Sequence, residues 1–213
     1  MSRPARIVAA VGVPLLWHNW LLPRLALRLR GRTAANAVFA TGYALLFDGA
    51  PHWFSARGLR LGMLSVLPVA AGYAAAVAIP ELRRGVLELA DAEPEVPVAE
   101  WAGIHIPIGT VYSEELVFRG TLDPLLDKEF GPCAGTVLGA AAFGLWHIHP
   151  ARAGADSVAG TVAVTALGGL VFGWLRRRTG SATAPALHHW ALNAGGVLAA
   201  RLARRCEAVG AAQ

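Results

Sequence analysis

Three short groups of polar residues interrupt otherwise apolar stretches of the chain. They are residues 113–120 (SEELVFRG), 143–147 (FGLWH) and 188–193 (HHWALN). An ionisable side chain within an apolar membrane segment costs roughly 2.5–3.5 kcal/mol on insertion scales, so such residues usually mark a functional site. Together the three groups offer a carboxylate, histidines and an amide. That set can activate a water molecule and stabilise an oxyanion, which is the chemistry of a hydrolase.

Helical spacing predicts which of these side chains share a face. Glu115 and Arg119 are four residues apart and can pair, whereas Glu114 points about 100° away and is free to face a cavity. His189 and Asn193 are also four residues apart and can present two hydrogen-bond donors to one point. Each group alone also has a structural explanation: an ion pair at a helix end, a core histidine, or a helix–helix hydrogen bond.

The elements that carry these groups are predicted to be membrane helices. Of the 213 residues, 55% are hydrophobic and only 15% are charged, and the mean hydropathy is +0.46. Soluble domains average about 25% charged residues. Residues 61–80, 157–175 and 179–200 contain no Asp, Glu, Lys or Arg, and neither does 130–151. Each stretch approaches the ~20 residues that a helix needs to cross a ~30 Å hydrocarbon core. We therefore predict an all-α, polytopic transmembrane helix bundle.

About six to seven spans are expected in a multi-pass integral protein of the bacterial cell membrane. Their approximate positions are 7–27, 33–47, 61–80, 101–118, 131–149, 156–175 and 183–201. The net charge of +5 comes from short arginine clusters between apolar runs, a pattern that favours contact with the lipid bilayer and not with nucleic acid.

Three regions are predicted along the chain. Residues 1–100 are expected to form N-terminal transmembrane helices followed by a polar connecting stretch over 81–100. Residues 101–200 contain all three polar groups and are expected to form the catalytic membrane core, and residues 201–213 form a basic tail.

Two further sets of residues are predicted to stand outside the site. Cys133 and Cys206 lie in different apolar segments without a pairing pattern, which is typical of small core residues. Four aspartates are interpreted as loop residues, which argues against an aspartyl intramembrane protease: Asp48, Asp123, Asp127 and Asp156.

The three groups, in this order, resemble the motifs of the CPBP or Abi family of intramembrane proteases, which includes the prenyl-protein CAAX endopeptidases. The matching patterns are EExxFRG from Glu114, FxxxH ending at His147, and HxxxN from His189 to Asn193. His189 matches better than His188 because it has an Asn four residues on. The similarity extends over roughly residues 101–200, and residues 1–100 carry no signature of the family.

The resemblance implies a role for each motif residue. Glu114 is expected to be the general base that polarises a water molecule, and His147 is expected to help hold that water. His189 and Asn193 are expected to stabilise the tetrahedral oxyanion. Glu115 and Arg119 are expected to be a supporting pair that fixes the helix and the position of Glu114.

A zinc-dependent mechanism is the alternative, because members of the family are often described as metalloproteases. Glu114, His147 and His189 are the ligands that such a mechanism would use. Neither HExxH nor HxxEH is present, so these ligands must come from separate helices. We favour the metal-independent glutamate mechanism, with no cofactor.

The sequence therefore predicts an intramembrane endopeptidase that cleaves a membrane-associated protein or peptide. The alternative is a non-catalytic membrane immunity or peptide-binding protein of the same fold. A rhomboid-type serine protease is excluded because Gly180-Ser181 lies in a basic turn and not on a buried helix.

Overall fold

The computed structural model describes residues 2–88 and 95–210, and within these ranges every regular element is a helix. We label the helices in chain order: α1 Arg3–Arg24, α2 Leu29–Leu46, α3 Ala56–Ala78, α4 Pro80–Glu88, α5 from Val98–Glu100 through Trp101–Tyr112 and Ser113–Val117 to Phe118–Leu122, α6 Asp123–Trp146, α7 Ile148–Ala153, α8 Val158–Thr179 and α9 Thr183–Gly210. The all-α prediction is confirmed for the described residues.

Local sequence explains where several helices begin and end. Ser55 precedes α3 and accepts a hydrogen bond from the Gly58 amide, and Ser157 does the same for Gly160 at the start of α8. These are N-caps that satisfy otherwise unpaired amides of the first turn. Gly180 ends α8 in the left-handed region, at φ 67°, where a residue without Cβ is favoured.

Each predicted span coincides with a helix, although the boundaries shift. Among the described residues, three helices are long and apolar enough to cross a membrane: Arg3–Arg24, Ala56–Ala78 and Val158–Thr179. The expected span at 131–149 belongs to the longer α6, which bends where Gly131 adopts φ 79°. The polar stretch 81–100 begins with α4, and residues 89–94 lie outside the described residues.

Close helix packing depends on glycine in this protein. A Cβ at Gly62 of α3 would lie 3.1 Å from the Ala184 Cα of α9, and a Cβ at Gly144 of α6 would lie 2.6 Å from the Val162 carbonyl oxygen of α8. Small residues allow helix backbones to approach in this way within membranes. These contacts hold α9 against α3, and α6 against α8.

One buried cluster joins the N-terminal helices to the helices that carry the motifs. It includes Ala10 of α1, Tyr43 of α2, Phe118 of α5, Phe143 of α6 and Phe172 of α8. The Tyr43 hydroxyl donates a hydrogen bond to the Ala10 carbonyl oxygen at 2.8 Å. Helices α1 and α2 therefore pack directly against the predicted catalytic region.

Two predictions about individual side chains are wrong. Cys133 and Cys206 are exposed and not core residues, because each lies on an outward face of its helix. Asp123 and Asp127 are not loop residues: both lie in α6, where the Asp123 side chain is 5% exposed and Asp127 pairs with Arg176 and Arg177. The break in the apolar pattern near residue 123 reflects an internal ion pair, described below.

Candidate active site

Glu114 and Glu115 lie on a short α-helical turn between two wider π-helical segments of α5. The turn is Ser113–Val117, and the flanking segments are Trp101–Tyr112 and Phe118–Leu122. Side chains support the wider winding: Ser113 Oγ donates to the Ile108 carbonyl oxygen, five residues back. π-helical segments are rare and often occur at functional sites. Here they place both carboxylates inside the bundle.

The two oxygens of Glu114 have different surroundings. Oε1 accepts a hydrogen bond of 3.2 Å from the Trp146 indole Nε1. Oε2 is buried and has no hydrogen-bond partner among the described residues. It lies 4.0 Å from His147 Nε2 and 3.8 Å from His189 Nε2. The structure thus brings together side chains from α5, α9 and the residue that follows α6.

Hydrogen bonds at the far side of each imidazole fix how the rings are protonated. His147 Nδ1 lies 2.8 Å from the Phe143 carbonyl oxygen, and His189 Nδ1 lies 2.8 Å from Glu115 Oε1. Both partners accept hydrogen bonds, so both Nδ1 atoms carry protons. In the neutral rings each Nε2 then has a lone pair directed towards Glu114.

Three hydrogen-bond acceptors consequently face one another: Oε2 of Glu114 and the two Nε2 atoms. Such an arrangement is satisfied by a water molecule, by an additional proton on an imidazole, or by a metal ion. A bridging water forms hydrogen bonds of about 2.8 Å, so both separations are short enough for one water to reach both ends.

Glu114, His147 and His189 are also the side chains that the zinc alternative would use as ligands. The part of the chain that the structure describes holds no group of three or more His, Cys, Asp and Glu arranged to hold a metal ion. The donor types nevertheless suit zinc, and the 3.8 and 4.0 Å separations from Glu114 are within about 4.2 Å, the sum of two zinc–ligand bonds. The contact of His189 with Glu115 also resembles the carboxylate support that zinc-binding histidines receive.

Glu115 and Arg119 form a buried ion-pair network with Asp123. Arg119 Nε lies 3.5 Å from Glu115 Oε2 and 3.9 Å from Asp123 Oδ2. Arg119 Nη2 also donates to the Gly169 carbonyl oxygen of α8 at 3.5 Å. The guanidinium carbon lies 4.3–5.6 Å from the ring centres of Phe118, Phe143 and Phe172. Arg119 therefore joins three helices around the carboxylate that holds His189.

Asn193 is half-buried one turn beyond His189. Its Nδ2 donates to the His189 carbonyl oxygen at 3.1 Å, and this is its one hydrogen bond among the described residues. His188 points elsewhere, with Nδ1 3.0 Å from the Ser65 carbonyl oxygen of α3. Asn193 is thus close to the site in sequence and helix position, but its amide is directed to its own helix.

Sequence reasoning missed two residues that contact this site. Trp146 supplies the hydrogen bond to Glu114, and His18 of α1 stacks on the Trp146 ring with centroids 4.0 Å apart. His18 Nδ1 also lies 2.8 Å from the Trp146 carbonyl oxygen. The sequence contains an indication that His18 is functional, because His18 is an ionisable residue within an apolar helix.

These observations define the class of protein: an integral membrane protein of packed helices that encloses a carboxylate–imidazole site. Residues 97–195 match the model of a protein family described as "Type II CAAX prenyl endopeptidase Rce1-like". The matched segment contains all three motifs, so the resemblance to the CAAX endopeptidases is confirmed at the level of the family. Comparison with curated proteins gives no match, and neither does comparison with solved structures.

Proposed function

We propose that this protein is an intramembrane endopeptidase in which Glu114 activates the water molecule that attacks a peptide bond. The observation that carries the proposal is the unpartnered Oε2 of Glu114, which faces the Nε2 atoms of His147 and His189. A buried carboxylate oxygen without a partner is costly unless it serves a ligand or a reaction. The family match over residues 97–195 supports a peptidase.

The reaction begins with a water molecule between Glu114 Oε2 and His147 Nε2. Glu114 removes a proton as the water oxygen attacks the carbonyl carbon of the substrate, and it later returns that proton to the leaving amine. Negative charge develops on the carbonyl oxygen. His189 can donate to that oxygen when it carries a second proton on Nε2, in addition to the Nδ1 proton that Glu115 accepts.

Asn193 completes the proposed oxyanion site if its amide turns from the His189 carbonyl oxygen towards the substrate. The hydrogen bond that it gives up is a single bond within its own helix. Glu115 and Arg119 act as the supporting pair, because Glu115 holds His189 and Arg119 holds Glu115. Truncating Arg119 removes the cation between two buried carboxylates, a change that typically costs 3–5 kcal/mol.

The proposed setting is the bacterial cell membrane, with six to seven helices crossing the bilayer. The substrate is a membrane-associated protein or peptide, because the site is enclosed by helices whose outer faces carry exposed apolar side chains. A substrate confined to the membrane can reach such a site without leaving the bilayer.

The decisive experiment compares new protein C-termini in membranes. Cells that lack this protein are complemented with the wild type, with Glu114→Gln, or with Glu81→Gln, a control on the exposed surface of α4. C-terminal peptide mass spectrometry should find the same cleaved products with the wild type and with Glu81→Gln, and none with Glu114→Gln. Equal product sets for all three proteins and for the empty strain would instead favour a non-catalytic peptide-binding protein.

Metal dependence has its own test. The glutamate mechanism predicts that purified protein contains no stoichiometric zinc by elemental analysis, and that dialysis against 1,10-phenanthroline leaves peptide cleavage unchanged. Stoichiometric zinc that is lost in a His147→Ala, His189→Ala double variant would show that both histidines are ligands. The zinc content is measured independently of activity.

A further inference from the structure

A second cavity lies at one end of the bundle, beside the proposed active site, and one of its lining residues is Arg119 of the supporting pair. Its volume is about 670 Å³, and it is bordered by the start of α1, the chain that follows α2, and the turn between α8 and α9. Five cationic side chains line it: Arg3, Arg6, Arg119, Lys128 and Arg176. The acidic residues that line it are Asp48 and Glu129. Cations therefore outnumber acids among the lining residues, although Arg119 also pairs with Glu115 and Asp123, and Arg176 with Asp127, outside the lining.

Many of the hydrogen-bond donors around the cavity are unused. Arg119 Nη1 and Arg176 Nε are buried and have no hydrogen-bond partner among the described residues, and Arg119 as a whole is 2% exposed. Arg3 contacts Glu129 through Nε, and Arg6 contacts Asp48 through Nη2 at 2.7 Å. Arg176 contacts Asp127 through Nη2. Each guanidinium has five N–H donors, so each of these arginines keeps donors without an internal partner.

Lys128 also lines the cavity, and no hydrogen bond or ion pair holds its side chain within the described residues. Its ammonium has three donors and no internal acceptor to satisfy them. Such a collection of donors fits a compact anion with several oxygens, and a phosphate group is the anion that arginines bind best in this way.

The position of the cavity indicates where the phosphate comes from. The membrane-length helices α1 and α8 have their first and last residues here, at Arg3 and Thr179, and α9 begins here at Thr183. Ends of membrane helices lie at the level of lipid headgroups. We propose that this cavity binds the phosphate headgroup of an anionic phospholipid from the adjacent leaflet. This inference does not depend on the proposed peptidase activity.

The probe is phosphatidylglycerol added to the purified full-length protein in mild detergent, with phosphatidylcholine and inorganic phosphate in parallel. Native mass spectrometry measures bound lipid, and tryptophan fluorescence measures the melting temperature. Phosphatidylglycerol should bind and raise the melting temperature, because a ligand that binds only the folded state stabilises it. Phosphatidylcholine should do neither.

The test variant is Arg3→Gln with Lys128→Gln, which removes two cations at exposed positions of the cavity. The control is Arg32→Gln with Arg84→Gln, which removes two exposed cations away from the cavity. Loss of two cations should weaken phosphatidylglycerol binding about tenfold or more in the test variant only.

Three outcomes would overturn the proposal. Equal binding of phosphatidylglycerol and phosphatidylcholine would remove the anion preference. Equal weakening in the test and control variants would assign the binding to general surface charge. An equal rise in melting temperature with millimolar inorganic phosphate, together with displacement of the lipid, would identify a free-phosphate site instead of a headgroup site.

Discussion

The tryptophan that donates to Glu114 gives that carboxylate a fixed orientation. The Trp146 indole holds Oε1, so the other oxygen is directed at the two histidines. His18 packs flat against the same indole and thereby limits its rotation. The proposed general base is therefore positioned by a side chain of α6 and, through it, by a side chain of α1.

Replacement of Trp146 by Phe tests this positioning role. The variant keeps an aromatic ring but removes the N–H that holds Glu114, and a hydrogen bond to a charged group contributes about 1.5–3 kcal/mol. We expect turnover to fall about tenfold or more while KM changes less. Trp17→Phe is the matched control, because its indole donates to Asn36 and not to the site. Normal turnover in a stable Trp146→Phe protein would contradict the assignment.

Asn193 gives a second prediction for a single residue. If its amide donates to the oxyanion, Asn193→Ala should lower single-turnover cleavage by about 10²–10³-fold and leave substrate binding nearly unchanged. Its hydrogen bond to His189 lies within one helix, so the melting temperature should change little. Asn193→Asp should fail as well, because an ionised carboxylate repels an oxyanion. Cleavage close to normal in Asn193→Ala would remove this residue from the site.

At the residue scale, the sequence predicted the side chains that meet but not the contacts that hold them. Glu114, His147 and His189 are predictable because an ionisable side chain in an apolar membrane segment is costly and usually marks a functional site. Asp123 was misinterpreted because it follows a polar motif and precedes Pro124, a pattern that is also typical of a loop. Arg119 and Asp123 are four residues apart on a helix that continues from α5 into α6, so their spacing allows the ion pair once the helix is known to run through residue 123.

Among the elements, α5 differs most from the sequence-based expectation. Its apolar pattern predicts an ordinary span, whereas the structure has two π-helical segments on either side of Ser113–Val117. Hydrophobic periodicity does not distinguish a regular α-helix from one with π-helical insertions. The extra residue of a π-helical turn alters the direction of nearby side chains but leaves the long apolar pattern of the helix intact. The direction in which the Glu114 side chain points therefore could not be predicted from the sequence.

The contact between α3 and α9 can be tested with two glycines of the same helix. A Cβ at Gly62 would lie 2.7 Å from Leu187 and 3.1 Å from the Ala184 backbone, whereas a Cβ at Gly72 meets nothing within 4 Å. Gly62→Ala should destabilise the protein by about 1–3 kcal/mol through overpacking. Gly72→Ala should be neutral or stabilise by about 0.5–1 kcal/mol. Thermal melting in detergent measures both, and equal effects would argue against tight α3–α9 packing.

For the whole molecule, α1 and α2 pack against the helices that carry the three motifs and hold them in place. These two helices carry no signature of the family, yet their apolar side chains share one core with the motif helices. A polar contact adds to this core: Glu100 at the start of α5 binds Arg30 of α2 at 2.8 Å and His105 at 3.1 Å. Thr33 of α2 also lies 2.8 Å from His105.

This polar contact predicts a dependence of stability on pH. The hydrogen bond from Arg30, followed by that from His105, lowers the pKa of Glu100 from 4.5 to about 2. A carboxyl whose pKa is lowered by folding stabilises the folded state above its unfolded pKa and loses that contribution as the pH falls. Glu100→Gln should therefore lower the melting temperature at neutral pH.

The difference between wild type and Glu100→Gln should shrink as the pH falls from about 4.5 towards 2. Glu81→Gln is the control, because Glu81 is exposed and makes no ion pair within the described residues. A difference that stays constant over this range would show that Glu100 contributes through packing and not through its charge.

The chain order of the site residues also sets the time at which the site can form. Glu114 and His147 are synthesised and inserted well before His189, which lies on α9. Until residue 189 has joined the bundle, Glu114 lacks one of the two imidazoles that it faces and Glu115 lacks its hydrogen-bond partner. If the protein is the peptidase proposed above, the nascent chain is unable to cleave neighbouring proteins at the insertion machinery. The proposed activity would then begin only when biogenesis has brought α9 into place.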